Sequence, residues 1–277
     1  MSAPRERGGP LGAIARPSSL RLVRALWRVN AAEELQYRAN FVASLLGTVF
    51  WLATALLTVA VFFRQTHSLG GWTFWEVVVL LGIFNCLAGL VEAMLRPGMS
   101  QLVEDVRSGG LDLVLARPVE PQVFVSFRRL DLWRITDIVV GLGLSLFALL
   151  RLGRPPSAGA VAAFFVALVA AALVVYAIWI SLMSLAFWFV SVLNLSVLFD
   201  AVFEAARYPV SAYPGALRFL FVYLVPIAWT TTIPASTLTG RLGAGAALAA
   251  AAVAALALGL ARLLWRTALR RYTSAGG

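Results

Sequence analysis

The sequence contains no lysine, one histidine (His67) and one cysteine (Cys86), and only 13% of its 277 residues are charged. A phosphate-binding loop of the G-x-x-x-x-G-K-[ST] type needs a lysine that reaches the terminal phosphates, so the chain cannot hydrolyse ATP by that route. A single histidine excludes His-rich zinc sites and leaves any catalytic relay dependent on His67. We therefore predict no catalytic residue, no metal site and no bound cofactor.

Apolar residues dominate instead, because 61% of the chain is hydrophobic and its mean hydropathy is +0.85. These values are typical of a polytopic membrane protein and exclude a soluble globular domain. The net charge of +10 comes entirely from arginines. Because these arginines flank apolar runs, where they fix topology and contact lipid head groups, the lipid bilayer is an expected partner and nucleic acid is not.

The lengths of the uncharged runs predict an all-α protein with six transmembrane helices. The 25 residues between Arg38 and Arg64 suffice for one span, whereas the 45 residues from Pro155 to Phe199 are too many for one. Since only 13 residues separate Asp137 from Arg151, the third span is expected to begin at Asp131. The predicted spans cover about 39–63, 72–95, 131–151, 158–189, 194–209 and 243–264.

Residues 213–235 are predicted to form a hairpin instead of a crossing. The apolar piece Phe219 to Ile233 has 15 residues and is interrupted by Pro226, which favours a re-entrant or interfacial pair of helices. With six crossings, 17 arginines lie inside and 6 outside, as the positive-inside rule requires. We therefore predict a multi-pass protein of the plasma (inner) membrane with both termini in the cytoplasm, and residues 38–271 as its single transmembrane domain.

Two short segments precede the first span. Residues 1–17 are rich in arginine, glycine and proline, and we predict that they are disordered. Residues 18–37 have apolar side chains near one face and arginines on the others, which predicts an amphipathic interfacial helix on the inner leaflet. The alternative is an ordinary helix packed on a partner protein or on residues 96–131.

A polar segment, residues 96–131, interrupts the apolar runs, and we name it the handle. Met99, Leu102, Val103 and Val106 recur at helical spacing, Gly109 and Gly110 break the helix, and a second apolar set follows at 111–115 before Pro118 and Pro121 end regular structure. An amphipathic surface of this kind suits docking of a partner protein. It is equally compatible with a helix that rests on its own membrane domain.

Charged residues inside or next to the predicted spans form a second group of candidates, because such charges are costly in a bilayer unless they reach water or a partner. They are Glu92, Asp137, Asp200, Glu204 and Arg207. They are candidates for a transport pathway or a subunit interface, and the acidic excess suits a cationic amphiphile. The alternative is structural: Asp131, Arg134 and Asp137 can pair on one helical face, and so can Asp200, Glu204 and Arg207.

Several short motifs resemble those of the membrane subunits of type-2 ABC (ABC-2) exporters, in the branch of small six-span drug or viologen permeases. The resemblance covers about Leu20 to Arg271. Its carriers are ELQYRANF (Glu34 to Phe41), GGLDLVLARPV (Gly109 to Val119), SFRRLD (Ser126 to Asp131), Phe187-Trp188, RYP (Arg207 to Pro209), Val225-Pro226 and Pro234-Ala235.

This resemblance implies a cytoplasmic coupling helix between spans two and three that contacts a separate ATP-binding subunit, present in two copies with ATP and Mg. It also implies a second permease, either the same chain or a homologous one, and an outer hairpin between spans five and six. The coupling segment maps to 99–117, with contacts expected from Leu102, Val103, Glu104, Asp105, Val106, Leu111, Asp112, Leu113 and Leu115. Tyr208 and Pro209 join the pathway or interface candidates.

The expected function is therefore that of a non-catalytic permease subunit in an ATP-driven exporter of a hydrophobic, amphipathic or lipid-like substrate. One alternative is an integral-membrane lipid-modifying enzyme, which would need a cluster of histidine, lysine or metal ligands. Another is a secondary transporter driven by an ion gradient, which would usually show internal repeats, and we see none between the two halves.

Overall fold

The computed structural model describes residues 19–34, 38–117, 119–185, 187 and 193–271, and within these ranges the chain is helical with no strand. The predicted disordered start and most of the predicted turn between the spans 158–189 and 194–209 lie outside them. The α-helices are α1 Ser19–Glu34, α2 Arg38–Gln65, α3 Phe74–Leu90, α4 Arg96–Ser108, α5 Leu111–Leu115, α6 Pro121–Phe127, α7 Ile135–Leu152, α8 Ala158–Leu185, α9 Leu193–Glu204, α10 Gly215–Phe219, α11 Thr232–Leu238 and α12 Ala244–Arg271.

Five helical segments in the described ranges are long and apolar enough to cross a bilayer, which confirms an all-α polytopic membrane protein. They are Ala39–Gln65, Phe74–Val106, Ile135–Leu152, Ala158–Leu185 and Ala244–Arg271. The predicted fifth span corresponds to α9, whose 12 residues rise only about 18 Å, against about 30 Å for the hydrocarbon core.

The third span is shorter than predicted, because its helix begins at Ile135 and not at Asp131. Asp131 instead anchors a turn. Its backbone N–H donates to the carbonyl of Ala93 at 2.8 Å, and its carboxylate accepts from the N–H of Trp133 at 3.1 Å. When a short polar side chain accepts a hydrogen bond from the backbone N–H two residues later, the chain favours a turn over a helix.

Two helix pairs make up the tightly packed part of the fold. Helix α3 runs along α7, and α8 runs along α12. Glycines allow the first pair to approach closely: a side chain at Gly141 would lie 2.5 Å from the carbonyl of Gly82 and from the N–H of Cys86. Buried alanines such as Ala170 and Ala254 serve the second pair. Small residues at such contacts are the usual device of membrane helices.

The handle continues directly from the second span, because a π-helical turn at Val91–Leu95 joins α3 to α4. Helix α4 ends as predicted at Gly109, which has φ +76°. One prediction was wrong: Pro121 does not end regular structure but begins α6, since proline is tolerated in a first helical turn.

Helix α1 contacts the handle. The indole N–H of Trp27 donates to the carbonyl of Phe127 at 3.0 Å, and the amide of Asn30 donates to the carbonyl of Arg128 at 3.0 Å. This packing corresponds to the alternative that the sequence left open, a helix held by the handle.

At the opposite end of the spans, a bent helical pair replaces a straight crossing. Segments Gly215–Leu224 and Ile227–Leu238 meet at 72° around Pro226, at the predicted hairpin. Nearby, the Ser211 hydroxyl donates to the carbonyl of Gly70 at 2.7 Å, and Arg241 pairs with Glu76 at 2.7 Å. We call this the hairpin end and the other the handle end.

Candidate functional site

Helix α9 presents three kinds of side chain along adjacent stripes, because residues four apart lie on the same face of a helix. The stripes are aliphatic (Leu198, Val202), aromatic (Phe199, Phe203) and acidic (Asp200, Glu204). The predicted alignment of Asp200 and Glu204 on one face is therefore present, and that face points into a cavity.

The cavity beside α9 has a volume of about 430 Å³, is open on one side, and is bordered by α2, α3, the π-helical turn, the start of α4, α7 and α9. We call it the polar cavity. Its charged lining residues are Glu92, Arg96, Arg134, Asp137, Asp200 and Glu204. Four of the five charged residues singled out from the sequence are thus brought together at one place, although they are spread over more than a hundred residues of the chain.

Arg96 ties the handle end of this cavity together. Its guanidinium donates to Glu92 at 2.6 Å, within the same helical segment, and to Asp200 of α9 at 2.6 Å and 3.3 Å. Arg96 is also the first residue of α4 and directly follows the π-helical turn. Such turns occur frequently at functional sites. A movement of α4 would therefore act directly on a contact that closes one side of the cavity.

Asp137 is the most deeply buried charge of the lining, with 7% of its surface exposed. The hydroxyl of Thr48 from α2 donates to its carboxylate, and Arg134 lies 3.7 Å from it. Asn85 of α3 donates to its backbone carbonyl at 2.7 Å. Because two other helices and the start of its own helix hold Asp137, it has a positioning role where α2 and α3 meet α7.

Glu204 and Arg207 form an ion pair toward the middle of the spans. The guanidinium of Arg207 lies 4.3 Å from the ring centre of Trp51, which is a favourable cation–π geometry. Tyr208 and Pro209 are not among the residues that line the polar cavity. Tyr208 packs edge-on against Phe62, and Pro209 is buried.

The handle divides into a buried and an exposed face, which corrects part of the predicted docking set. Leu102 and Leu111 are fully buried within the chain, so they hold the handle on the membrane domain and cannot contact a partner. Asp105 is paired with Arg128 at 2.6 Å, and both side chains are largely buried. It is therefore not available to a basic group of another subunit.

Outward-facing residues of the predicted docking set remain available. Leu113 of α5 is 73% exposed, and Glu104 of α4 is also exposed. Val106 and Leu115 are partly buried against the core, and Asp112 is partly exposed. The side chain of Val103 lies outside the described set.

Sequence reasoning missed the uncharged part of the cavity lining. Thr48, Trp51, Phe84, Asn85 and Phe203 all face it. Thr48 and Asn85 did give a signal, since each is a polar residue within an apolar run. The aromatic residues gave none, because apolar side chains are equally expected against lipid. In the described residues, no group of three or more His, Cys, Asp or Glu side chains could hold a metal ion.

Comparison with known sequences places these features in a family. The sequence profile described as ABC-2 family transporter protein matches residues 49–276, which is most of the chain. No curated protein and no solved structure showed a significant match. Permeases of this family are generally non-catalytic, normally work with an ATP-binding subunit and often dimerise. The chain therefore belongs to the ABC-2 transporter family and is a permease component of an ABC transporter.

Proposed function

We propose that this chain is the permease subunit of an ATP-driven exporter in the plasma membrane, and that the polar cavity binds the cationic group of an amphipathic substrate. ATP and Mg bind to a separate subunit, because the chain has no lysine for a phosphate-binding loop. That subunit is present in two copies. A second permease, the same chain or a homologous one, completes the assembly.

The observation that carries this proposal is the charge of the cavity lining. Four carboxylates (Glu92, Asp137, Asp200, Glu204) face two guanidiniums (Arg96, Arg134) in the lining, and Arg207 pairs with Glu204 from outside it, so the whole group has an excess of one negative charge. Charges within membrane segments are costly and mark substrate or ion pathways by default. A cation that entered the cavity would offset this excess, whereas an anion would increase the cost.

The coupling route follows from the continuity of α3, the π-helical turn and α4. The ATP-binding subunit contacts the exposed face of the handle, and nucleotide binding moves α4 as a rigid extension of the second span. Because Arg96 begins α4 and bonds to Asp200, this movement changes the distance between α4 and α9 and so the shape of the cavity. A two-state element of this kind links the ATPase to substrate access.

Transport of a lipophilic cation tests the proposal. In inside-out vesicles that contain the permease and its ATP-binding subunit, ethidium uptake is expected to require ATP and to fall at least tenfold in Asp200→Asn and in Glu204→Gln. Glu120→Gln is the matched control, because Glu120 pairs with Arg262 outside the cavity and exposed pairs contribute little. If both cavity variants retain uptake at the level of the control, the cavity is not the cation site.

A further inference from the structure

A second cavity lies on the other side of α9. It has a volume of about 690 Å³, is bordered by α8, α9, α12 and the bent pair at the hairpin end, and opens to the outer surface of the helices beside Tyr223 and Leu224. We call it the apolar cavity. Its lining is almost entirely aliphatic and aromatic, as Leu182, Val202, Val225, Trp229 and Ala257 illustrate. The indole N–H of Trp229 is already bonded to the carbonyl of Val222, so it adds no polar group to the lining.

The two cavities share one residue, Phe199. Its ring packs edge-on against Trp179 of α8, with centroids 4.6 Å apart, and stacks on Phe203 at 5.4 Å. Phe203 in turn stacks on Phe84 of α3 at 5.0 Å. A single row of aromatic rings therefore separates a charged space from an apolar one.

We propose that the two cavities form one bipartite site for an amphiphile with a cationic head group and a single alkyl chain. The head group lies between Asp200 and Glu204 in the polar cavity, and the chain passes beside Phe199 into the apolar cavity. This inference rests on the proposed function, because it takes the polar cavity as the site of the cation.

The stripes of α9 support this occupant over others. Acidic, aromatic and aliphatic pairs follow one another around the helix, so a ligand that crosses it meets a charge, then ring faces, then alkyl groups. This order matches the sequence of groups along a cationic amphiphile. Both cavities have the volume of ordinary ligand pockets. A second copy of the chain or a bilayer lipid would fill the apolar cavity without needing Phe199 at the boundary.

Two probes separate the head-group contribution from the chain contribution. Radiolabelled tetramethylammonium has the head group alone, and dodecyltrimethylammonium adds the chain. Both are equilibrated with the purified, detergent-solubilised full-length permease in a scintillation proximity assay. Each methylene buried in the apolar cavity is expected to raise the affinity by up to about fourfold. Comparison between variants in the same detergent cancels the partition of the probe into micelles.

Filling the apolar cavity is the decisive change. Ala257→Trp places an indole in it, and Ser181→Phe fills it from α8. Both variants are expected to lower the affinity for dodecyltrimethylammonium at least tenfold and that for tetramethylammonium less than twofold. Ala255→Trp, an exposed site two residues away on the same helix, is the matched control and is expected to bind both probes like the unaltered chain.

The outcomes distinguish this inference from the proposed function. If Ala257→Trp and Ser181→Phe bind dodecyltrimethylammonium as tightly as Ala255→Trp does, the chain lies elsewhere, on lipid or on a second subunit, and the bipartite site is overturned. An equal loss of both probes would also overturn it, because the substitutions would then act on the whole protein. Asp200→Asn tests the proposed function separately: it is expected to weaken both probes by the same factor.

Discussion

Helix α3 has two different faces, one closely packed against another helix and one that lines a cavity. Toward α7 it presents Gly82 and Gly89, which bring the two backbones so close that no side chain would fit between them. Toward α2 and α9 it presents Phe84 and Ala88, which line the polar cavity. One helix thus joins a rigid seam to an open site. The difference indicates that the α3–α7 pair moves as one rigid unit with the handle, and that α9 can shift against it.

The seam is expected to give the largest loss of stability when it is disturbed. Gly141→Leu forces a side chain into the backbone of α3, and overpacking a close contact costs about 3 kcal/mol, so the variant is expected to melt at a clearly lower temperature than the unaltered protein. Thermal melting of the detergent-solubilised chain measures this. Gly143→Leu is the matched control on the same helix, because nothing lies within 4 Å of its added side chain, and it is expected to melt like the unaltered protein. Equal melting of the two variants would show that the seam can separate.

The all-α membrane fold could be predicted from the sequence, because long uncharged runs leave few alternatives to a membrane span. The exceptions are local. Run length predicts that Asp131 lies in a helix, yet its hydrogen bonds to Ala93 and Trp133 make a turn. The sequence pattern predicts that Pro121 ends regular structure, yet proline also suits a helix start, and Pro121 begins α6. In both places, tertiary contacts or position within the helix decided the outcome.

The candidate site was predicted only in part. Charges in apolar runs identify Asp200 and Glu204, but no local pattern pairs Asp200 with Arg96, which lies 104 residues away. The handle shows the same limit. An amphipathic stripe indicates which residues share a face, yet it does not say whether that face contacts the chain itself or a partner. Leu102 was therefore assigned to docking, although its own membrane domain buries it.

A change in the Arg96 contacts at the polar cavity is expected to lower the stability of the protein less than a change in the α3–α7 seam. Arg96→Gln leaves Glu92 and Asp200 facing each other without a guanidinium between them. Because these side chains are partly exposed, we expect a loss of about 1–2 kcal/mol, smaller than for a fully buried pair, together with loss of ATP-dependent transport. Arg96→Gln with Asp200→Asn is expected to recover the melting temperature but not transport. If the single variant transports normally, the contact does not link the handle to the cavity.

A substitution on the exposed face of the handle is expected to have the smallest effect on stability, because that face takes part neither in the α3–α7 seam nor in the polar cavity. Leu113 is 73% exposed, so Leu113→Asp is expected to change the free energy of unfolding by less than about 0.5 kcal/mol. An apolar residue at the centre of a docking surface contributes far more to binding, and its loss is expected to weaken co-purification of the ATP-binding subunit more than tenfold. Leu242→Asp, at an exposed position of the hairpin end, is the control and is expected to retain that subunit. A handle variant that still co-purifies with the ATP-binding subunit would place docking on another surface, and the movement of α4 would then need a different source of force.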